Sequence, residues 1–132
     1  MITILSKPSF FILLLFTVLY FGCQSSSASS KGYQDLEVGE FAEQMSEEGV
    51  ILLDVRTPEE TAEGMIEGAQ EIDFRADDFQ DKIAELDKDA KYLVYCRSGA
   101  RSASACGIMK DLGFSDVSNL VGGYLAWKAE HE

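Results

Sequence analysis

The chain predicts an α/β fold: a central parallel sheet of about five strands with helices on both faces. Three observations predict it. From Tyr33 onward, apolar runs of strand length alternate with apolar residues at helical spacing. The run Val50-Ile51-Leu52-Leu53-Asp54-Val55 is continuously apolar apart from one acid near its end, the pattern of a strand buried on both faces. Alternating segments of this kind join parallel strands through helical crossovers.

The elements follow in order. A short strand is predicted at Tyr33 to Leu36. Phe41, Ala42 and Met45 then recur at helical spacing, and Gly49 ends the helix. After the strand that begins at Val50, Thr57-Pro58-Glu59-Glu60 reads as a helix start, with Thr as N-cap, Pro at the first position and Glu at the third. Ala69 to Asp73 predicts a short strand, and Phe79, Ile83 and Leu86 mark an amphipathic helix. Tyr92-Leu93-Val94-Tyr95 predicts a buried strand that ends at Cys96. A helix is expected from Ser102 to Leu112, a strand at Val117 to Leu120, and a last helix from about Tyr124.

The first residues are of another kind. Lys7 is the only charge before Cys23, and the apolar run Phe10 to Phe21 is short for a bilayer span but fits a secretory h-region. Gly22-Cys23 is followed by the polar linker Gln24-Ser25-Ser26-Ser27-Ala28-Ser29-Ser30. This resembles a bacterial lipoprotein signal, which is cleaved before a cysteine whose sulfur is then lipidated. Tyr20 stands where such signals usually carry Leu, so a simple signal peptide and an uncleaved anchor stay open. The expected division is a signal peptide at 1–22, lipidated Cys23 with a serine-rich tether at 23–32, and one folded domain at 33–132. That implies an exported, lipid-anchored protein of the bacterial cell envelope, facing the periplasm.

Eleven basic residues against 23 acidic ones give a net charge of −12, which argues against nucleic-acid binding because phosphates need a basic surface. Cleavage after residue 22 removes only Lys7 and leaves 10 basic and 23 acidic residues, net −13. Three cysteines, Cys23, Cys96 and Cys106, and the single His131 form no C-x-x-C pair or other zinc-ligand spacing, so no metal site is expected.

Cys96 is the candidate for chemistry. It stands where a strand ends, a small-residue loop turns and a helix begins, so N–H groups and the positive end of a helix dipole are expected to face its sulfur. Arg97 and Arg101 flank the loop and are expected to attract an anion, to pair with acids such as Asp54, and to help lower the thiol pKa. The residues Arg97-Ser98-Gly99-Ala100-Arg101 suit an open loop more than a packed core. Cys106 reads as core on the following helix, Tyr124 and Trp127 as packing of the last helix, and Gly122-Gly123 as a place where backbone passes close to the loop.

Four stretches together resemble the rhodanese family of sulfurtransferases over residues 34 to 130. They are Leu52-Leu53-Asp54-Val55-Arg56-Thr57-Pro58-Glu59-Glu60, then Glu63-Gly64-Met65-Ile66-Glu67-Gly68-Ala69-Gln70-Glu71-Ile72, then Tyr95-Cys96-Arg97-Ser98-Gly99-Ala100-Arg101-Ser102, and Leu120-Val121-Gly122-Gly123-Tyr124-Leu125-Ala126-Trp127. The resemblance implies a rhodanese-like fold with Cys96 as nucleophile, Arg97, Ser98, Gly99, Ala100 and Arg101 as the sulfur-cradling loop, and Asp54 and Arg56 as a supporting acid–arginine pair. It implies sulfur transfer from thiosulfate or a similar donor, through a Cys96 persulfide, to cyanide or a thiol, with no metal or organic cofactor. A protein sulfur donor or acceptor is a further implied partner. Met65 departs from the family's usual histidine. Two other readings remain: a catalytically silent binding module, and a cysteine phosphatase or arsenate reductase. Phosphatase loops run C-x5-R, whereas Cys96 to Arg101 is C-x4-R.

Overall fold

The computed structural model describes residues 31–132. The signal peptide, Cys23 and most of the tether therefore lie outside the described residues. Five parallel strands alternate with five helices. The elements are β1 (Gln34–Leu36), α1 (Val38–Met45), β2 (Val50–Asp54), α2 (Pro58–Thr61), β3 (Gln70–Glu71), α3 (Phe79–Ala84), β4 (Lys91–Tyr95), α4 (Ala100–Asp111), β5 (Asp116–Leu120) and α5 (Gly123–His131). The sheet order is β1-β5-β4-β2-β3, so β4 lies at the centre.

Apolar side chains leave both faces of the sheet, as the continuous runs require. Leu53, Val55, Tyr92 and Val94 project to one face and meet Phe79 and Ile83 of α3 and Ala105, Cys106 and Met109 of α4. Leu52, Leu93, Tyr95 and Leu120 project to the other and meet Phe41 of α1 and Trp127 of α5. Period-two alternation along β4 thus feeds both cores at once. Burying an aromatic such as Phe41, which is fully covered, is worth about 2–3 kcal/mol. Edge-to-face pairs set the helix positions, Tyr92 with Phe114 at 5.3 Å and Phe41 with Trp127 at 6.4 Å.

Predicted elements and observed ones agree in order and type. Their ends differ where local chemistry decides. The strand expected over Ala69 to Asp73 is only Gln70–Glu71, because it pairs at the sheet edge with Leu53 and Asp54 alone. The helix expected from Ser102 starts at Ala100. Gly99, with φ of +101°, turns the chain directly into it. Arg101 is therefore on the helix and not on the loop.

The sheet places three strand ends side by side. Asp54 pairs in register with Tyr95, and Val55 N–H donates to the Tyr95 carbonyl at 3.0 Å. The peptides after β2, β4 and β5 so gather at one edge, with Cys96 at their middle.

Candidate active site

Cys96 continues β4, and its side chain falls on the same face as Val94. It is 1% exposed and packs in the cluster with Ala105 and Cys106. The sulfur is the floor of the loop, while Arg97, Ser98 and Ala100 form its exposed rim.

The floor is lined with donors. Gly99 N–H donates to Cys96 Sγ at 3.1 Å, and the Ser102 hydroxyl at 3.3 Å. Burial pushes the thiol pKa up. The Ser102 hydroxyl and the N–H groups of Ser102, Gly99 and Ser98 outweigh it, and the net shift is downward. The lowering comes from hydrogen bonds at the start of α4, where N–H groups were expected to face the sulfur. Cys106, fully covered one turn along the same helix, is shifted upward by burial. Both cysteines among the described residues are free.

The loop holds its shape from behind. Tyr124 N–H donates to the Cys96 carbonyl at 2.8 Å, and Leu125 N–H to the Arg97 carbonyl at 3.0 Å. Both donors are first-turn amides of α5, which have no partner within their own helix. A trans peptide points its carbonyl and N–H in opposite directions. Fixing the Arg97 carbonyl on α5 therefore turns the Ser98 N–H inward, towards the sulfur. Only glycine allows this approach. At Gly123, with φ of +59°, a Cβ would sit 2.6 Å from the Cys96 and Arg97 carbonyl oxygens.

The arginines have separate tasks. Arg101 makes a two-pronged pair with Glu60, Nη1 to Oε2 at 2.8 Å and Nη2 to Oε1 at 2.7 Å. Hydrogen bonding from Arg101, against the opposing effect of burial, holds Glu60 down at about 2. Glu60 also closes the predicted capping box of α2, taking the Thr57 N–H at 3.1 Å. One carboxylate so ties the start of α2 to the start of α4. The partner expected for an arginine of the loop was Asp54, but Asp54 is occupied by Arg56. Arg97 has no side-chain hydrogen bond or ion pair among the described residues, and it faces solvent beside Leu125 and Lys128 in a pocket of about 140 Å³.

Asp54 and Arg56 form the buried pair beneath the site. Arg56 Nη2 reaches Asp54 Oδ2 at 2.6 Å and the Gly64 carbonyl at 2.6 Å, and its guanidinium lies 4.1 Å from the centre of the Tyr124 ring. A pair this covered is held by geometry, since both charges have lost their water. The next residue, Met65, is followed by Ile66, whose N–H donates to the Tyr95 hydroxyl at 3.0 Å. Met65 thus sits between two anchored peptides and lines a groove of about 380 Å³ with Trp127 and Tyr124. Ser102, Glu60 and Tyr95 belong to this constellation without having been singled out as site residues. Glu60 was noticed for its capping-box spacing, and all three lie within the stretches that resemble the rhodanese family, but their local pattern assigned none of them a role at the site.

A covered thiol, with its pKa lowered, stands at the start of a helix and beside three strand ends on a doubly wound sheet, an arrangement suited to a nucleophilic cysteine. The chain belongs to the rhodanese-like domain family, which it matches over residues 37–130. It is 42% identical over 80 residues to a sulfurtransferase of Allochromatium vinosum, covering 61% of this chain and 73% of that one. It is 39% identical over 90 residues to the thiosulfate sulfurtransferase GlpE of Pseudomonas aeruginosa, covering 68% and 80%. The solved rhodanese-like domain protein of Staphylococcus aureus superposes with a TM-score of 0.64 at 32% identity, over 71% of this chain and 90% of that one. These relatives support a rhodanese-type sulfurtransferase in general.

Proposed function

We propose that the protein moves sulfane sulfur from thiosulfate or a similar anionic donor to a thiophilic acceptor such as cyanide or a thiol, with Cys96 as carrier. The observation that carries this reading is Cys96 Sγ at the end of β4, taking hydrogen bonds from the Gly99 N–H at 3.1 Å and the Ser102 hydroxyl at 3.3 Å. In the loading step the Cys96 thiolate attacks the outer sulfur of thiosulfate. A Cys96–sulfur bond forms, the bond from outer sulfur to sulfite sulfur breaks, and sulfite leaves with the electron pair. In the discharge step cyanide attacks the outer sulfur. The electron pair of the Cys96–sulfur bond returns to Sγ, and thiocyanate leaves. The negative outer sulfur of the persulfide is of the kind that a nest of N–H groups stabilises. Arg97, free at the rim, supplies charge for the donor anion.

The loop speaks against phosphoryl chemistry. It is one residue shorter than a C-x5-R phosphate loop, and Arg101, which would have to clasp the phosphate, is held by Glu60. Thiocyanate formation from thiosulfate and cyanide tests the reading. The wild type is expected to turn over and Cys96→Ser to be inactive with an unchanged circular dichroism spectrum. Turnover by Cys96→Ser contradicts the assignment.

The location belongs to the same proposal. It rests on the apolar run Phe10 to Phe21, on Gly22-Cys23 and on the serine-rich linker. The protein is exported, lipidated on Cys23 and held at the bacterial membrane, with its acidic domain facing the periplasm. Two acyl chains anchor a protein stably where one is marginal.

A further inference from the structure

The Ser102 hydroxyl has one proton and two acceptors. Cys96 Sγ lies 3.3 Å from Ser102 Oγ, and the Gly99 carbonyl oxygen 3.2 Å. One O–H cannot serve both fully. Which acceptor takes it depends on charge, because a bond to an anion is roughly twice as strong as one between neutral groups. Ser102 is fully covered and Cys96 nearly so. Removing one oxygen leaves less room than a water molecule needs, so no solvent donor replaces it.

We propose that Ser102 is a catalytic residue that follows the charge on Cys96. Its hydroxyl donates to the sulfur while that is a thiolate and returns to the Gly99 carbonyl once a transferred sulfur is bonded there. The discharge half rests on the sulfurtransferase reading above; the response to thiolate charge rests on geometry alone. On loading, Sγ becomes neutral, the negative charge moves to the outer sulfur, and the hydroxyl turns to Gly99. On discharge the Sγ–sulfur bond breaks, the electron pair returns to Sγ, and the hydroxyl swings back to receive it. A group that stabilises a thiolate makes it a better leaving group and a weaker nucleophile. Ser102 so favours discharge, and it favours loading only by keeping the thiol ionised.

Removing the hydroxyl is therefore expected to act in opposite directions on the two steps. In Ser102→Ala, the midpoint for alkylation of Cys96 by iodoacetamide should rise by about one to two pH units. Above both midpoints, sulfur uptake from thiosulfate in a single turnover should be about three to ten times faster, and discharge of the isolated persulfide to cyanide slower by a similar factor. A packing defect slows both steps and cannot produce this pair. An unchanged midpoint, or equal slowing of both steps, overturns the proposal. Should the wild type take up no sulfur, the sulfurtransferase reading fails on its own. The alkylation arm then decides for Ser102: a raised midpoint with faster alkylation on the high-pH plateau supports its part, and an unchanged profile overturns it.

Discussion

Two cysteines ten residues apart have opposite characters because of what surrounds each sulfur. Cys96 and Cys106 are both covered, and burial alone raises a thiol pKa. Cys96 escapes that rise because α4 begins at its sulfur, so amides without helical partners and the Ser102 hydroxyl point at it. Cys106 lies further along the same helix, where every amide is already bonded to a carbonyl, and burial prevails. Position relative to a helix start decides the direction in which each thiol is shifted. Cys106→Ala should accordingly leave kcat/KM for sulfur transfer within about twofold of wild type. The small cavity it leaves costs about 1 kcal/mol, or about 4–8 °C in Tm. A loss of activity out of proportion to the fall in Tm would give Cys106 a part in the chemistry.

At the scale of elements, the site is a joint between three helix starts. Glu60 links α2 to α4 through Arg101, and the amides of Tyr124 and Leu125 link α5 to the loop. The first link is titratable. The folded pKa of Glu60 is about 2, against an ordinary 4.5. A depressed pKa contributes stability that is present above pH 4.5 and is lost as pH falls towards 2. Discounted for its partial exposure, that contribution is about 2 kcal/mol near neutrality. Glu60→Gln should therefore be less stable than wild type by roughly that amount in urea at pH 7. The difference should shrink at pH 3, and an equal difference at both pH values would refute the linkage. The second link is steric. Gly123→Ala must move either α5 or the Cys96 and Arg97 carbonyls, at a cost of roughly 1–3 kcal/mol. Because those carbonyls orient the N–H groups around the sulfur, kcat should fall at least tenfold while the protein remains folded at 25 °C. Wild-type activity in this variant would show that α5 does not shape the loop.

At the scale of the whole molecule, the fold was legible because its signal is redundant. Runs such as Ile51-Leu52-Leu53 and Leu93-Val94-Tyr95 fit strands with both faces covered, and their alternation with helical spacing leaves few topologies. The placement of Cys96 was legible as well, since the apolar run before it and the small-residue loop after it put it between a strand end and a helix start. The partners of the site were not. Ser102 is in hydrogen-bond reach of Cys96 only because Gly99 turns the chain at φ of +101°, and Glu60 meets Arg101 across 41 residues of sequence. Pairings of that kind are set by the sheet order, which no local pattern carries. Charge also acts at this scale. The chain's net charge of −12 disfavours approach to anionic surfaces, so the membrane anchoring proposed above would rest on Cys23 and not on electrostatics. Cys23→Ala, expressed in a bacterial host, should move the protein from the membrane fraction to the soluble periplasm or stop its processing. A soluble wild type that begins at a residue other than Cys23 would overturn the anchor and leave the catalytic account standing. That account is tested most directly by intact-mass spectrometry of the folded domain after incubation with thiosulfate and removal of excess donor. One added sulfur atom on the wild type, absent from Cys96→Ser and discharged by cyanide, is the predicted result. A wild-type mass unchanged by thiosulfate, or sulfur retained by Cys96→Ser, would contradict it.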